Sequence, residues 1–190
     1  MLFRSDLPDG AKDIPGVIIP RKTVAELRRL LEDADGAIEI GLSDTKIQFT
    51  FDGVELTSKL IDGSFPDYQR VIPPANDKAL TLDAKDFSQA VDRVSTISAD
   101  KTRAVKLNLA TDRVTLSVVN PESGTATEEL GANYSADPIE IGFNARYLLD
   151  ITGQIAGKDV RFLLADAGSP TLIEDTEDGR TLYVLMPMRV

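Results

Sequence analysis

The chain contains no histidine and no cysteine. That excludes Ser-His and Cys-His nucleophilic sites, a histidine general base and any His/Cys zinc site. Any catalysis would have to rest on carboxylates, lysine or tyrosine. Without cysteine there are no disulfides, which fits a cytosolic setting, so a cytoplasmic protein is expected. No apolar run is long enough to span a membrane. No secretory leader is legible either, since Phe3 is followed at once by Arg4, Ser5 and Asp6. Net positive charge is missing too: the formal balance is −10. Taken alone, that argues against nucleic acid, because phosphate binding needs a basic surface. Charge segregated by face would escape the argument.

What is present is enough for a real core. The 190 residues are 42% hydrophobic, a length suited to one domain or one and a fraction. Residues 1–16 read as loop, with a turn signal over residues 7–10. Val17, Ile18 and Ile19 read as a short β-branched strand. Thr23 and Glu26 have capping-box spacing, and Val24, Leu27, Leu30 and Leu31 recur at helical intervals up to a stop at Gly36. Alternating strands are expected over 37–42, 46–51 and 54–61, the last two joined by a tight Asp52-Gly53 turn.

After a proline-rich connector over residues 65–76 the pattern restarts. A strand over 79–82 leads to Asp83 as helix cap, and Phe87, Ala90, Val91 and Val94 share one helical face. Strands follow over 104–109, 113–118 and 125–130. A third cycle begins with a strand over 139–143 and Asn144 as cap. Leu148, Ile151 and Ile155 share a face, Gly157 stops the helix, and strands follow over 160–164, 170–174 and 182–188. One β-α-β-β-β unit therefore occurs three times, at a period of roughly 60 residues. Two such units can close a helix-pair-on-sheet core. The second and third units form one complete domain. The first lacks its mate, as though the chain began halfway through another domain of the same kind.

Several strings now become recognisable: Val17-Ile-Ile-Pro-Arg-Lys22, Thr57-Ser-Lys-Leu-Ile-Asp-Gly-Ser-Phe-Pro-Asp-Tyr68, Ile141-Gly-Phe-Asn144, Tyr147-Leu-Leu-Asp150 and the terminal Tyr183-Val-Leu-Met-Pro-Met-Arg189. In this order they resemble the bacterial DNA polymerase III beta subunit, the sliding clamp. The resemblance implies an α+β clamp fold, with antiparallel sheets outside and helices on one face. It assigns residues 1–71 to the second half of a middle domain and residues 72–190 to a complete C-terminal domain. The family is a non-catalytic accessory subunit of a DNA-directed DNA polymerase. Its head-to-tail homodimeric ring encircles double-stranded DNA and needs no cofactor. Polymerase, clamp loader and repair proteins insert short linear motifs into its groove. A topological link tolerates an acidic exterior if the hole is basic.

By match, one wall of that groove is Pro66, Arg70 and Val71. The other is Val184, Leu185, Met186, Pro187, Met188 and Arg189, with Asn144 and Tyr147 nearby and Gly168 and Pro170 at the rim. Proline and methionine would give a shaped apolar floor, and arginine would bind a peptide carbonyl or carboxylate. Arg21 and Lys22 match the family motif and would face DNA. Arg28, Arg29, Lys85, Arg93, Arg146 and Lys158, on or near the helices, are further candidates, against the plain alternative of solvated helix charges. The ring-closing edge would include Thr96, Ile97, Glu122 and Glu128. A Gly-His-Arg-Leu-like segment that contributes to the groove in the family has no counterpart here, so the expectation is a fragment that cannot close the usual ring alone.

Two other readings stand beside this one. The first is an autonomous interaction module that keeps the groove without the ring. The second is a carboxylate-based hydrolase, for which no constellation exists. Residues 174–179 are acidic but lack the pattern of a calcium loop and read as a hairpin turn. Glu128 and Glu129 sit next to each other on a strand, where they point to opposite faces and cannot act together.

Overall fold

A computed structural model describes residues 2–3, 11–12, 14–65, 67–98 and 103–189. The expected turn over residues 7–10 and the groove residue Pro66 lie outside that set. The chain forms two compact units, Leu7–Asp67 and a larger one of Met1–Asp6 with Tyr68–Val190.

The smaller unit holds α1 (Arg21–Leu30) and a three-stranded antiparallel sheet of β2 (Glu39–Leu42), β3 (Lys46–Phe51) and β4 (Val54–Lys59), in that spatial order. β3 alternates as a half-buried strand should. Its Ile47, Phe49 and Phe51 are buried under Ile19, Leu27, Leu30 and Leu31. Asp52 and Gly53 both have positive φ, 45° and 75°, the backbone that a two-residue hairpin turn requires. The capping-box expectation fails here. The helix begins at Arg21 with Pro20 as its N-cap and no side-chain cap. Thr23 is buried and shares a hydrogen bond with the Ser58 hydroxyl at 2.7 Å. A tertiary contact has taken the hydroxyl that the local pattern assigned to capping. Nor does Gly36 stop the helix, which ends at Leu30 with Leu31 as C-cap.

In the larger unit, β1 (Leu2–Phe3) pairs with β12 (Thr181–Leu185). A 3-10 turn, Tyr68–Arg70, leads to β5 (Lys78–Asp83), α2 (Ala84–Ser95), β6 (Ala104–Ala110), β7 (Arg113–Asn120) and β8 (Gly124–Gly131). Next come β9 (Ile139–Asn144), α3 (Ala145–Thr152), β10 (Asp159–Leu164) and β11 (Thr171–Asp175), before β12. Both expected caps are present. Asp83 accepts from the Lys85 and Asp86 amides, and Asn144 from the Arg146 amide, which satisfies donors orphaned at each helix start.

The two repeats interlock by exchanging their first strands. One sheet runs β1-β12-β11-β10-β5 and the other β8-β7-β6-β9. Thus β5 lies against the strands of the third repeat and β9 against those of the second. Thr81 stands opposite Arg161, and Gly142 opposite Lys106. α2 packs on α3 over a shared core that includes Phe87, Leu107, Leu116, Phe143, Leu148 and Phe162. Phe87 and Phe162 meet edge to face, centroids 5.3 Å apart at 71°, a favoured aromatic geometry.

A second regularity runs through all three repeats. The residue two positions before each helix N-cap bridges back to a residue just past the last strand of its own repeat: Ile18 to Ile61, Thr81 to Asn133 and Gly142 to Met188. So residues 17–19 enter as a single bridge rather than as a full strand.

Gly157 does not stop α3, which ends at Thr152 with Gly153 as C-cap. It is needed for close approach instead. Its amide donates to the Asp175 carboxylate at 2.9 Å, and a Cβ there would lie 2.3 Å from Asp175 Oδ1. Asp175 is buried and also accepts from the Ala156 and Glu177 amides. Burial pulls its pKa up, but the amides of Gly157, Glu177 and Ala156 outweigh that and hold it below the usual carboxylate value.

Candidate functional site

The terminal strip leaves the sheet because of its own sequence. β12 ends at Leu185, and Pro187 has no amide proton to continue a ladder. Met188 then rejoins by donating its amide to the Gly142 carbonyl at 2.7 Å. Alternation decides which side chains remain available. Tyr183 and Leu185 point into the core, while Met186 is 60% exposed. Burial raises the Tyr183 pKa, so its phenol stays neutral at physiological pH.

Three clefts border the strip, all within the larger unit. The first, of about 460 Å3, lies between β12 and α3 and is lined by Tyr147, Asp150, Ile151 and Gln154 on one side and residues 183–186 on the other. The second, of about 520 Å3, is lined by Glu140, Ile141 and Gly142 of β9, by Ala167 and Gly168, and by Pro187, Met188 and Arg189. The third, of about 360 Å3, is lined by Ala104, Lys106, Ser117, Val118 and Val119 with Met188 and Arg189, so Met186 serves the first cleft and Met188 the other two. Glu140 is held by Lys106 at 2.8 Å. Gly168 is positioned by its amide hydrogen bond to Asp166 at 2.8 Å, and that bond heads the causes that lower the Asp166 pKa. The first cleft offers an apolar floor with one exposed aromatic, Tyr147, 54% exposed. It is suited to an apolar anchor rather than to bond-making. Among the described residues, no group of three or more carboxylates could hold a metal ion, and no helix is long and apolar enough to cross a membrane.

The other expected residues are distributed as follows. Asn144 caps α3 and lines none of these clefts. Arg70 and Val71, at the end of the 3-10 turn and just after it, are exposed and also line none. Pro170 lends its carbonyl to the Asn76 amide at 2.9 Å. Arg21, Lys22 and Arg28 are exposed on α1, where Arg29 pairs with Glu26. Lys85 and Lys158 line one further cleft of about 440 Å3 beside the start of α2, and Arg146 is exposed in the first turn of α3. Arg93 is bonded to Glu128, the strongest influence on both groups, lowering the acid's pKa and raising the base's.

Thr96 caps the end of α2 with its hydroxyl bonded to the Asp92 carbonyl. Asn120 draws Ile97 and Glu122 to the same place, donating to the Ile97 carbonyl at 2.7 Å and accepting from the Glu122 amide at 2.9 Å. β8, which carries Glu128, is one of the two outer strands of its sheet. Asp150, Ile151 and Gln154 were not singled out as cleft residues from sequence. The signal was present: with Tyr147 they fall at i, i+3, i+4 and i+7, one side of a helix.

Two family models match, the C-terminal domain of the DNA polymerase III beta subunit over residues 69–189 and its central domain over residues 3–67. The chain belongs to the DNA polymerase III beta subunit family. The beta sliding clamp of Caulobacter vibrioides is 56% identical over 183 residues, covering 96% of this chain and 49% of that protein. That of Escherichia coli K12 is 38% identical over 174 residues, covering 92% and 48%. A solved Bartonella birtlesii sliding clamp superposes with a TM-score of 0.95 at 54% identity, over 99% of this chain and 51% of that one. The chain therefore spans about half the length of the relatives it matches, and the repeated α+β clamp fold expected from the sequence is the fold found.

Proposed function

We propose that this chain is part of a DNA sliding clamp, a non-catalytic processivity factor of DNA replication that holds a polymerase on duplex DNA and receives linear motifs of partner proteins. The reading divides the chain into the second half of a middle domain, to about residue 71, and a complete C-terminal domain after it. The observation that carries it is the strip at residues 186–189. It places Met186 in the open beside Tyr147 at the end of a strand whose inward residues are buried. An exposed methionine facing an exposed tyrosine across a cleft, followed by half-buried Pro187 and Met188, has the anatomy of a peptide hot spot. Sliding clamps from Bartonella birtlesii and Pseudomonas aeruginosa have been solved bound to griselimycin, which supports ligand uptake by this fold.

In this reading Arg21, Lys22, Arg28, Lys85 and Arg146 face DNA. Thr96, Ile97, Glu122 and Glu128 lie at a ring-closing edge, and Arg70 and Val71 join the strip in the complete groove. The setting is the cytoplasm. The test is a titration of a labelled linear peptide with two apolar anchors against the chain, Met186→Ala and Met188→Ala. Each truncation is expected to cost ~1 kcal/mol or more of binding energy. Unchanged affinity in both variants overturns the groove assignment. Peptide binding without retention on closed circular DNA favours an interaction module over a clamp.

A further inference from the structure

The third cleft runs along the outer face of the β6–β7 pair, and its shape follows from where small side chains fall. Val105, Leu107, Leu116 and Val118 are buried, so alternation turns Ala104, Lys106, Ser117 and Val119 outward. Lys106 stands opposite Ser117 on one side and opposite Gly142 on the other. With small residues on both flanks and Ala104 beside it, the lysine borders a trough rather than a ridge, bounded at the strip by Met188 and Arg189. Val119 lines the same trough and is 75% exposed, the most exposed large apolar side chain among the described residues.

Charge sets the trough apart. The chain as a whole carries −10, yet the lining here includes Lys106 and Arg189 and no carboxylate. Arg189 is exposed and has no ion-pair partner among the described residues. Lys106 meets Glu140 at 2.8 Å, which engages one of its three ammonium protons.

We propose that this trough is an accessory docking site for the segment flanking the linear motif that seats at Met186, and that the segment is acidic and carries one apolar residue. The apolar residue lies on Val119 and Met188, and the carboxylates reach Arg189 and Lys106. Charge complementarity selects the occupant. An acidic segment is repelled by most of this chain and attracted here, which sets its register as well as adding affinity. Continuity supplies the route, because Met188 and Arg189 line the trough and follow directly on Met186 of the first cleft. Four extended residues span roughly 13 Å, enough to run the length of the strip. The inference rests on the proposed peptide groove and adds a point of contact beyond it, on β6 and β7.

The test is a fluorescence-anisotropy titration of the whole chain with labelled peptides that share the same two apolar anchors. One peptide ends at the anchors. Two others carry a four-residue extension of three glutamates and a leucine, at the amino or the carboxyl end. Controls replace the glutamates with lysines. One of the two acidic extensions is expected to bind roughly tenfold tighter than the short peptide at low salt, from two exposed ion pairs and one apolar contact. The gain should shrink as salt is added. Val119→Glu should abolish the gain and leave the short peptide's affinity unchanged, which also verifies that the variant is folded. Lys106→Gln should cut the gain about threefold. A short peptide that binds while neither extension gains, a lysine extension that gains as much, or a gain that survives Val119→Glu would each overturn this proposal and leave the groove reading intact. Failure of every peptide to bind would overturn the groove reading, and the accessory site with it.

Discussion

The first repeat and the two that follow are written to one formula and buried to different depths. Val24, Phe87 and Leu148 occupy the same helical position, yet the first is half exposed and the other two are sealed. The difference lies in what the repeat is packed against, not in its periodicity. An apolar stripe on a helix is a demand for a neighbour, and the stripe alone does not show whether the neighbour is there. Charge separates the repeats as well. α1 carries Arg21, Lys22, Arg28 and Arg29 against Glu26 alone, whereas Lys85 and Arg93 on α2 are matched by Asp86 and Asp92, and Arg146 on α3 by Asp150. On the helices, then, the net positive charge resides on α1 even though the whole chain is acidic.

The sharpest way to break this comparison is at the shared helical position. Phe87→Ala should destabilise the larger unit by about 3–5 kcal/mol, because it opens a cavity among immobile neighbours, read as a shift in that unit's denaturant transition. The loop anchored by Asp175 comes next. Asp175→Asn should cost about 1–3 kcal/mol by weakening the carboxylate's hold on three amides. Because the native pKa of Asp175 is depressed, its contribution is complete above the unfolded carboxylate's pKa and is lost as pH falls through the native value. Wild type should therefore lose stability on acidification below about pH 4, and the variant should show a flatter acid limb, followed by denaturation at stepped pH.

Within the smaller unit, Thr23→Ala removes the bond to Ser58 and should cost about 1 kcal/mol. A loss confined to that unit's transition would show that the hydroxyl ties α1 to β4. The smallest effect belongs to Val24→Ala. In dilute protein it should change stability by no more than about 0.5 kcal/mol, despite the formal equivalence to Phe87. A loss as large as that of Phe87→Ala would erase the distinction between the repeats.

Much of the fold was legible because the repeat is local in its signals. The caps Asp83 and Asn144, the Asp52-Gly53 turn and the buried face of α2 all follow from short-range chemistry. What escaped was set by partners distant in sequence. Thr23 looked like a cap until Ser58, on β4, claimed its hydroxyl. Gly157 looked like a helix stop, but its lack of a side chain serves Asp175, 18 residues away. The exchange of β5 and β9 between sheets has no local signature at all. The strip at residues 186–189 was legible as an apolar ending interrupted by proline. Its division among three clefts was not, because that depends on β9, the loop before β11 and the β6–β7 pair coming alongside. Arg70 and Val71 were joined to it by family resemblance, and they line none of the three.

The bridge from Met188 to Gly142 fastens the strip to a strand that is itself zipped into the neighbouring repeat's sheet. A molecule that grips the strip and pulls does not peel a loose end. The load passes through residue 142 into β9 and from there across six paired positions into β6, so a tether attached here would draw on the strength of both halves of the larger unit.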